Sequence, residues 1–385
     1  MRTRRLFFLP LFLALIIPSA PPRKPGAVKS EKVEFRVETV ASGLDHPWSL
    51  AFLPDGRMLV TERPGRLRIL EHDGKLSLPV DGVPAVAAVG QGGLLDIALA
   101  PDFKESRIVY FSFVEPRGPA GSVNPSSTSV ASARFLEEDG KAKLDDVKVV
   151  FRSEPAVEGG LHFGSRIAIA RDGTLFVTTG ERNQKSAAQD LSGDLGKVIR
   201  IRADGSVPSD NPFVGRKGAR PEIWSYGHRN IQAAAIHPVS GKLWIVEQGP
   251  KGGDEVNVPE KGKNYGWPVI GYGVDFSGAK IHESTVREGM EQPIYYWAPA
   301  SIGPSGMAFY TGDTFPAWKG NLFVGSLALT HLDRLELDGE KIVKEERLLA
   351  DLGLRIRDVR QALDGTLWLL TDERNGKVLH IVPMK

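Results

Sequence analysis

The chain has 385 residues, 41% hydrophobic and 25% charged, a composition that supports a large buried core and excludes a wholly disordered protein. Its 49 basic and 47 acidic residues are interleaved, so the net charge of +2 builds no basic stripe for nucleic acid. Cysteine is absent, which excludes disulfides, thiolate metal sites and thiol nucleophiles.

The chain opens with MRTRRLFFLPLFLALIIPSAPPRKPG, in which Arg2, Arg4 and Arg5 precede an apolar run over residues 6–17 and the small residues Ser19 and Ala20. That order predicts a secretory signal and flexible N-terminus over residues 1–25, with export to the periplasm or beyond. The run is shorter than the roughly 20 residues a bilayer span needs. No stable membrane insertion is therefore expected after cleavage, retention as an anchor being the alternative.

Beyond the N-terminus, 42 glycines and 27 prolines supply turns and leave little room for long helices. One phrase recurs six times, an apolar alternating run, a turn and a second apolar run: WSLAFLPDGRMLVTE from Trp48, LLDIALAPDFKESRIVYFSF from Leu94, RIAIARDGTLFVTTGE from Arg166, AAAIHPVSGKLWIVEQ from Ala233, MAFYTGDTFPAWKGNLFVGSL from Met307 and VRQALDGTLWLLTDE from Val359. Period-two alternation around a turn predicts a β-hairpin. The copies lie farther apart than a minimal four-stranded blade requires, with VEPRGPAGSVNPSSTS and GPKGGDEVNVPEKGKNYGWPVIGYGVDFSG read as loops between the hairpins. The expectation is an all-β, six-bladed β-propeller over residues 34–385 as one domain. GKVLHIVP near the C-terminus is expected to complete a blade begun near the mature N-terminus.

Several residues have chemical potential. Gln91, before two glycines and an apolar run, can bring an amide close to a ligand. His162 stands in GLHFGSR just before a strand, suited to a general base or to a structural turn, with Glu181 as a possible acidic neighbour. His228, Arg229 and Asn230 follow a glycine ahead of a strand and offer a planar cation and an amide, or a polar turn. In EQGPKGGDEVNVPEKGKNYGWP, Glu255, the carbonyls of Gly249 and Pro250 and the loop to Tyr265 supply hard oxygens suited to calcium, or an ordinary solvated acidic pair. Arg355 and Arg357, two apart, share one face of a strand and need an anion nearby, either a polyanionic ligand or Asp351 or Asp358. GPSGMAF reads as a turn and not a nucleophile elbow, and no phosphate loop or H-E-x-x-H appears.

Taken in order, LDHPWSLAFLPDGRMLVTER, GQGGLLDIALAPDF, HFGSRIAI, EIWSYGHRN, the stretch from Glu247 to Pro268 and RIRDV resemble the soluble aldose sugar dehydrogenases that use pyrroloquinoline quinone (PQQ), from about Leu44 to Pro383. The resemblance implies a six-bladed propeller holding PQQ and Ca2+ at the mouth of its channel. It makes His162 the base that takes the proton of the sugar's anomeric hydroxyl, and Arg229 a stabiliser of charge on the cofactor. Gln91, Arg229, Asn230, Arg355 and Arg357 become cofactor contacts. Gly249 and Pro250 match carbonyl ligands of the calcium beside the cofactor, and Glu255 with the Tyr265 carbonyl a second, structural calcium. The implied partners are an aldose sugar and an unidentified electron acceptor, and the chain is expected as a monomer or homodimer. Two positions depart from the family pattern: Ala328 stands where a cofactor-contacting lysine is usual, and Ser165 replaces a glycine after the base and is expected to narrow the approach. A calcium-dependent lactonase and a non-catalytic glycan- or protein-binding propeller are the competing readings.

Overall fold

The computed structural model describes residues 26–119, 122–138 and 140–384; the expected signal segment lies outside them. Six antiparallel sheets are arranged in sequence order around a ring, as a six-bladed β-propeller. The inner strands are Pro47–Phe52, Leu94–Leu99, Gly164–Ile169, Ile231–Ile236, Pro304–Phe309 and Ile356–Gln361. Each pairs with the second strand of the corresponding hairpin, so the six repeats are the inner halves of the six blades.

Successive side chains on a strand point to opposite faces, and in this ring both faces are apolar because each blade packs between two others. Neighbouring residues of every second strand feed different cores. Leu59 and Phe111 meet between blades one and two, and Tyr110 and Val177 between two and three. Phe176 and Ile245 meet between three and four, Trp244 and Val324 between four and five, Phe323 and Leu369 between five and six, and Leu370 and Val60 between six and one. The ring is closed by the strand Glu34–Leu44, which pairs with Gly376–Pro383, so the expected latch at GKVLHIVP is present. Ala27–Lys29 adds a fifth strand to that sheet, ahead of the expected start at residue 34. Among the described residues no helix is long and apolar enough to cross a membrane.

Three segments differ from expectation. SSTS belongs to the strand Ser126–Glu138, where short hydroxyl side chains fit a buried sheet face and Thr128 Oγ1 donates to the Phe163 carbonyl at 2.8 Å. Glu255 lies on a short strand, Asp254–Asn257, and not in a loop. The turn read in GPSGMAF is the inner strand of blade five, because Gly306 must lie flat against Asp358: a Cβ there would fall 2.1 Å from Asp358 Oδ1.

All six blades meet that carboxylate or its partners on the channel axis. Arg166 of blade three, 2% exposed, reaches Asp96 of blade two at 3.2 Å and Asp358 of blade six at 3.0 Å, and its Nε donates to the Gln232 carbonyl of blade four at 2.7 Å. Arg360 bridges the same two carboxylates at 2.9 Å each, and Ser49 of blade one donates to Asp96 at 2.6 Å. Burial opposes ionisation of Asp96, but Arg166 and Arg360 outweigh it and hold its pKa below the ordinary carboxylate range. Asp96→Asn leaves the buried Arg166 and the partly buried Arg360 short of a counter-charge, and such a deletion costs about 3–5 kcal/mol. Guanidinium chloride unfolding should show that loss; a change below about 1 kcal/mol would mean the network contributes little.

Candidate active site

A cavity of about 530 Å³ opens where the inner strands begin and the second strands end. Trp48, Leu95, Gly164, Gln232 and Arg357 reach it from the inner strands; Arg63, Gln248, Leu327 and Asp372 reach it from just past the second strands.

His162 lies on its wall in a left-handed conformation (φ 53°), a backbone state that costs an L-residue roughly 1–2 kcal/mol. Gly180 permits the placement, since a Cβ at 180 would sit 2.0 Å from the His162 carbonyl oxygen. The imidazole Nδ1 is 2.5 Å from Glu181 Oε1. A carboxylate only accepts, so Nδ1 carries the proton and Nε2 keeps its lone pair. Burial, aided by the Arg229 charge, holds the imidazole pKa below its ordinary value against the opposing pull of Glu181. Gln91 also lines the cavity, and its Oε1 accepts the His162 amide at 2.9 Å.

Arg229 donates from one guanidinium nitrogen to the Gln248 and Gly249 carbonyls at 2.9 and 2.7 Å, and Glu247 accepts its backbone amide at 2.8 Å. Arg355 and Arg357 both grip Asp372, at 3.0 and 2.8 Å, so the anion beside them is neither Asp351 nor Asp358. Burial of Asp372 is overcome by these two charges, which keep it well below the usual carboxylate range. One carboxylate balances only one of the pair, and Arg357 Nε remains buried without a partner. Arg63 is a fourth cation on the wall, and its Nε is likewise unpartnered.

Asn230 is fully buried behind the wall: its Oδ1 accepts the Gly164 amide at 3.1 Å and its Nδ2 donates to Gln248 at 3.1 Å. Ala328 does line the cavity, whereas Ser165 is buried away from it, so the expected narrowing does not arise there.

Gly249 and Pro250 form a partition, and behind them lies a void of about 20 Å³ bordered by Glu247, Glu255 and Tyr265. Glu247 and Glu255 stand directly opposite each other on paired strands, and both accept from Asn257 Nδ2 at 3.1 Å. Like charges in that register repel. Burial together with Glu247 pushes Glu255 up to about 8. The Tyr265 hydroxyl is engaged, donating to Val258 and accepting from Glu260, which leaves its carbonyl for a cation. Asn257 Oδ1 is buried with no partner. This donor set suits a hard cation held by carboxylate and carbonyl oxygens.

Glu247, Asp372 and Arg63 were not singled out in the sequence, although a signal for the acids exists. LVTE, FVTTGE, WIVE and LLTD each place an acid at or just past the end of a second strand, giving Glu62, Glu181, Glu247 and Asp372.

The chain matches the Glucose / Sorbosone dehydrogenase family over residues 44–380 and belongs to it. It is 47% identical over 350 residues to Aldose sugar dehydrogenase YliI of Escherichia coli (strain K12), covering 90% of this chain and 92% of that one. A crystal structure of a glucose dehydrogenase is similar at TM-score 0.86 and 51% identity, covering 91% of this chain and 99% of the other. The PQQ-bound form of an aldose sugar dehydrogenase from Streptomyces coelicolor is similar at TM-score 0.73 and 29% identity, covering 94% and 99%. The protein is thus an oxidoreductase of the sugar dehydrogenase class, which favours the dehydrogenase reading over the hydrolase and binding readings.

Calcium added to chelator-treated protein is expected to raise its thermal midpoint. Glu255→Gln should reduce that increment without lowering the metal-free midpoint, since it replaces a buried carboxyl that already holds its proton at neutral pH with a neutral amide. An unchanged increment in the variant, read by differential scanning fluorimetry, would place the cation elsewhere.

Proposed function

We propose that the protein is an exported, PQQ-dependent and calcium-assisted dehydrogenase that oxidises aldose sugars at the anomeric carbon to lactones and passes the electrons to an external acceptor. The observation that carries this reading is one cavity whose wall unites His162, backed by Glu181, with four guanidiniums and a single lining carboxylate, Asp372. The PQQ-bound relative supports the choice of cofactor. A cofactor with three carboxylates fits the excess positive charge, and the orphaned Nε atoms of Arg357 and Arg63 are donors lacking an acceptor. Arg63 also offsets the cation missing at Ala328. When bound, PQQ supplies the two-electron acceptor for the hydride leaving C1.

In this reading His162 Nε2 takes the proton of the C1 hydroxyl, while Glu181 fixes the tautomer and stabilises the imidazolium formed. Arg229 is a fixed cation that stabilises negative charge developing in the cavity. Arg355 and Arg357 would hold the cofactor's negative charge, and Gln91, which accepts the His162 amide, would offer its own amide N–H to the ligand. Asn230 contributes from behind by fixing Gly164 and Gln248. The Gly249 and Pro250 carbonyls would hold the assisting calcium, and Glu255 with the Tyr265 carbonyl the structural one.

Dye-linked oxidation of aldoses by the full chain, in calcium with and without PQQ, tests the reading: turnover only with PQQ is expected. His162→Ala should lower kcat by about 10²–10⁴ while PQQ binding, read by absorbance titration, persists; normal turnover by the variant would overturn the base assignment.

The base must be neutral to act, and its pKa lies below the ordinary 6.5. Activity should therefore rise with pH through a point below 6.5 and be level above it. Glu181→Gln removes the carboxylate that opposes this shift, so the rise should move to still lower pH and the plateau should fall. A rise centred above 6.5 in the wild type would contradict the environment described for His162.

A further inference from the structure

Blade five carries a second group of chemistry-bearing side chains, outside the cavity and outside the void behind Gly249. His331 immediately precedes the strand Leu332–Asp338, Asp333 is the second residue of that strand, and Glu345 comes from its partner, Lys341–Leu348. One ligand atom from each of the three lies within 4.8 Å of the other two. His331 and Asp333 are 1% and 0% exposed.

The hydrogen bonds of this group are incomplete in a particular way. His331 Nδ1 is 3.1 Å from the Leu329 carbonyl. A carbonyl only accepts, so Nδ1 carries a proton and Nε2 is the ring nitrogen turned inward, the one a metal ion would take in place of a proton. Nε2 is 3.0 Å from Asp333 Oδ1, yet the two atoms are misaligned for a hydrogen bond, and Nε2 and both Asp333 oxygens have no hydrogen-bond partner. Other buried carboxylates of this chain are supplied with donors: Asp96 accepts from Ser49, Ile167 and Arg360, and Asp254 from Gly249, Ser301 and Gly303. A buried carboxylate with no donor is costly. Glu345 is held in place by Tyr295 Oη and Arg347 Nε, at 2.7 Å each, and each of its oxygens retains a lone pair.

We infer that His331, Asp333 and Glu345 form a binding site for a divalent first-row transition ion of the zinc or manganese type. The 3.0 Å separation of Nε2 and Oδ1 lets one ion lie about 2.1 Å from both. An Nδ1–H given to a backbone carbonyl is the outer contact that orients a metal-binding imidazole. One imidazole with two carboxylates is neither the all-oxygen set of calcium nor a thiolate site. The ion would pin the foot of the segment 327–330, whose Leu327 and Ala328 line the cavity and whose Leu327 carbonyl accepts Arg355 at 2.9 Å.

The test uses the full chain, stripped with chelator, saturated with calcium and titrated with zinc, with bound metal counted by elemental analysis and affinity read by calorimetry. Expected are one zinc per chain beyond the calcium-saturated baseline and affinity at least about tenfold weaker in His331→Gln and in Asp333→Asn. Cobalt should give a visible absorption band that His331→Gln removes, and Glu255→Gln should retain the zinc. No zinc beyond baseline, or equal zinc binding by both variants, would overturn the site and leave a proton shared by His331 and Asp333 as the occupant. If the variants fail to fold by circular dichroism, the wild-type zinc count and the cobalt band still decide. None of these readouts involves PQQ or sugar turnover, so the site and the proposed function can fail separately.

Discussion

The buried ion network on the channel axis is the contact on which the rest of this propeller depends. Asp96, Arg166, Asp358 and Arg360 tie blades two, three and six together, Ser49 and Gln232 bring in blades one and four, and Gly306 makes room for it in blade five. Apolar packing between blades is non-directional and tolerates sliding of one sheet over another. Paired charges with defined geometry do not, and an unpaired buried charge is heavily penalised. The network therefore sets the relative height of the inner strands, and with it the position of every residue those strands present to the cavity.

One position in the repeat is used for four different ends. At or just past the second strand, Glu62 accepts the Asp45 amide and pairs with Arg66. Glu181 orients His162, Glu247 receives the Arg229 amide and faces Glu255, and Asp372 holds two arginines. The backbone delivers an acid to the same face each time. Its role is then decided by what the adjacent blade brings, because a carboxylate's pKa and its partner are set by neighbouring charges and not by its place in the repeat.

The cavity keeps its positive charge by rationing counter-ions. Asp372 lies between Arg355 and Arg357, which relieves their mutual repulsion in the absence of ligand yet leaves a net cation for an anion to meet. Arg229 is instead held by backbone carbonyls, dipoles that orient it without neutralising it. Such preorganisation lets a charged ligand bind without rebuilding the site.

Much of this was written in the chain itself. Six alternating hairpins, with too little helical pattern between them, determined a six-bladed ring, and the latch strand was legible from its place, an apolar run that follows the sixth hairpin and ends the chain's repeats. His162, Glu181, Arg229, Gln91, Arg355 and Arg357 were legible as side chains of suitable chemistry at strand starts and ends. What only the tertiary structure decided were the pairings across blades and between neighbouring strands: Asp372 with the two arginines, Glu247 opposite Glu255, Arg63 as a fourth cation, and Asn230 placed behind the wall. The reason is physical. Alternation reports which face of a strand is apolar, whereas register and the approach of separate blades, which bring distant charges within reach of each other, are fixed only when the ring closes.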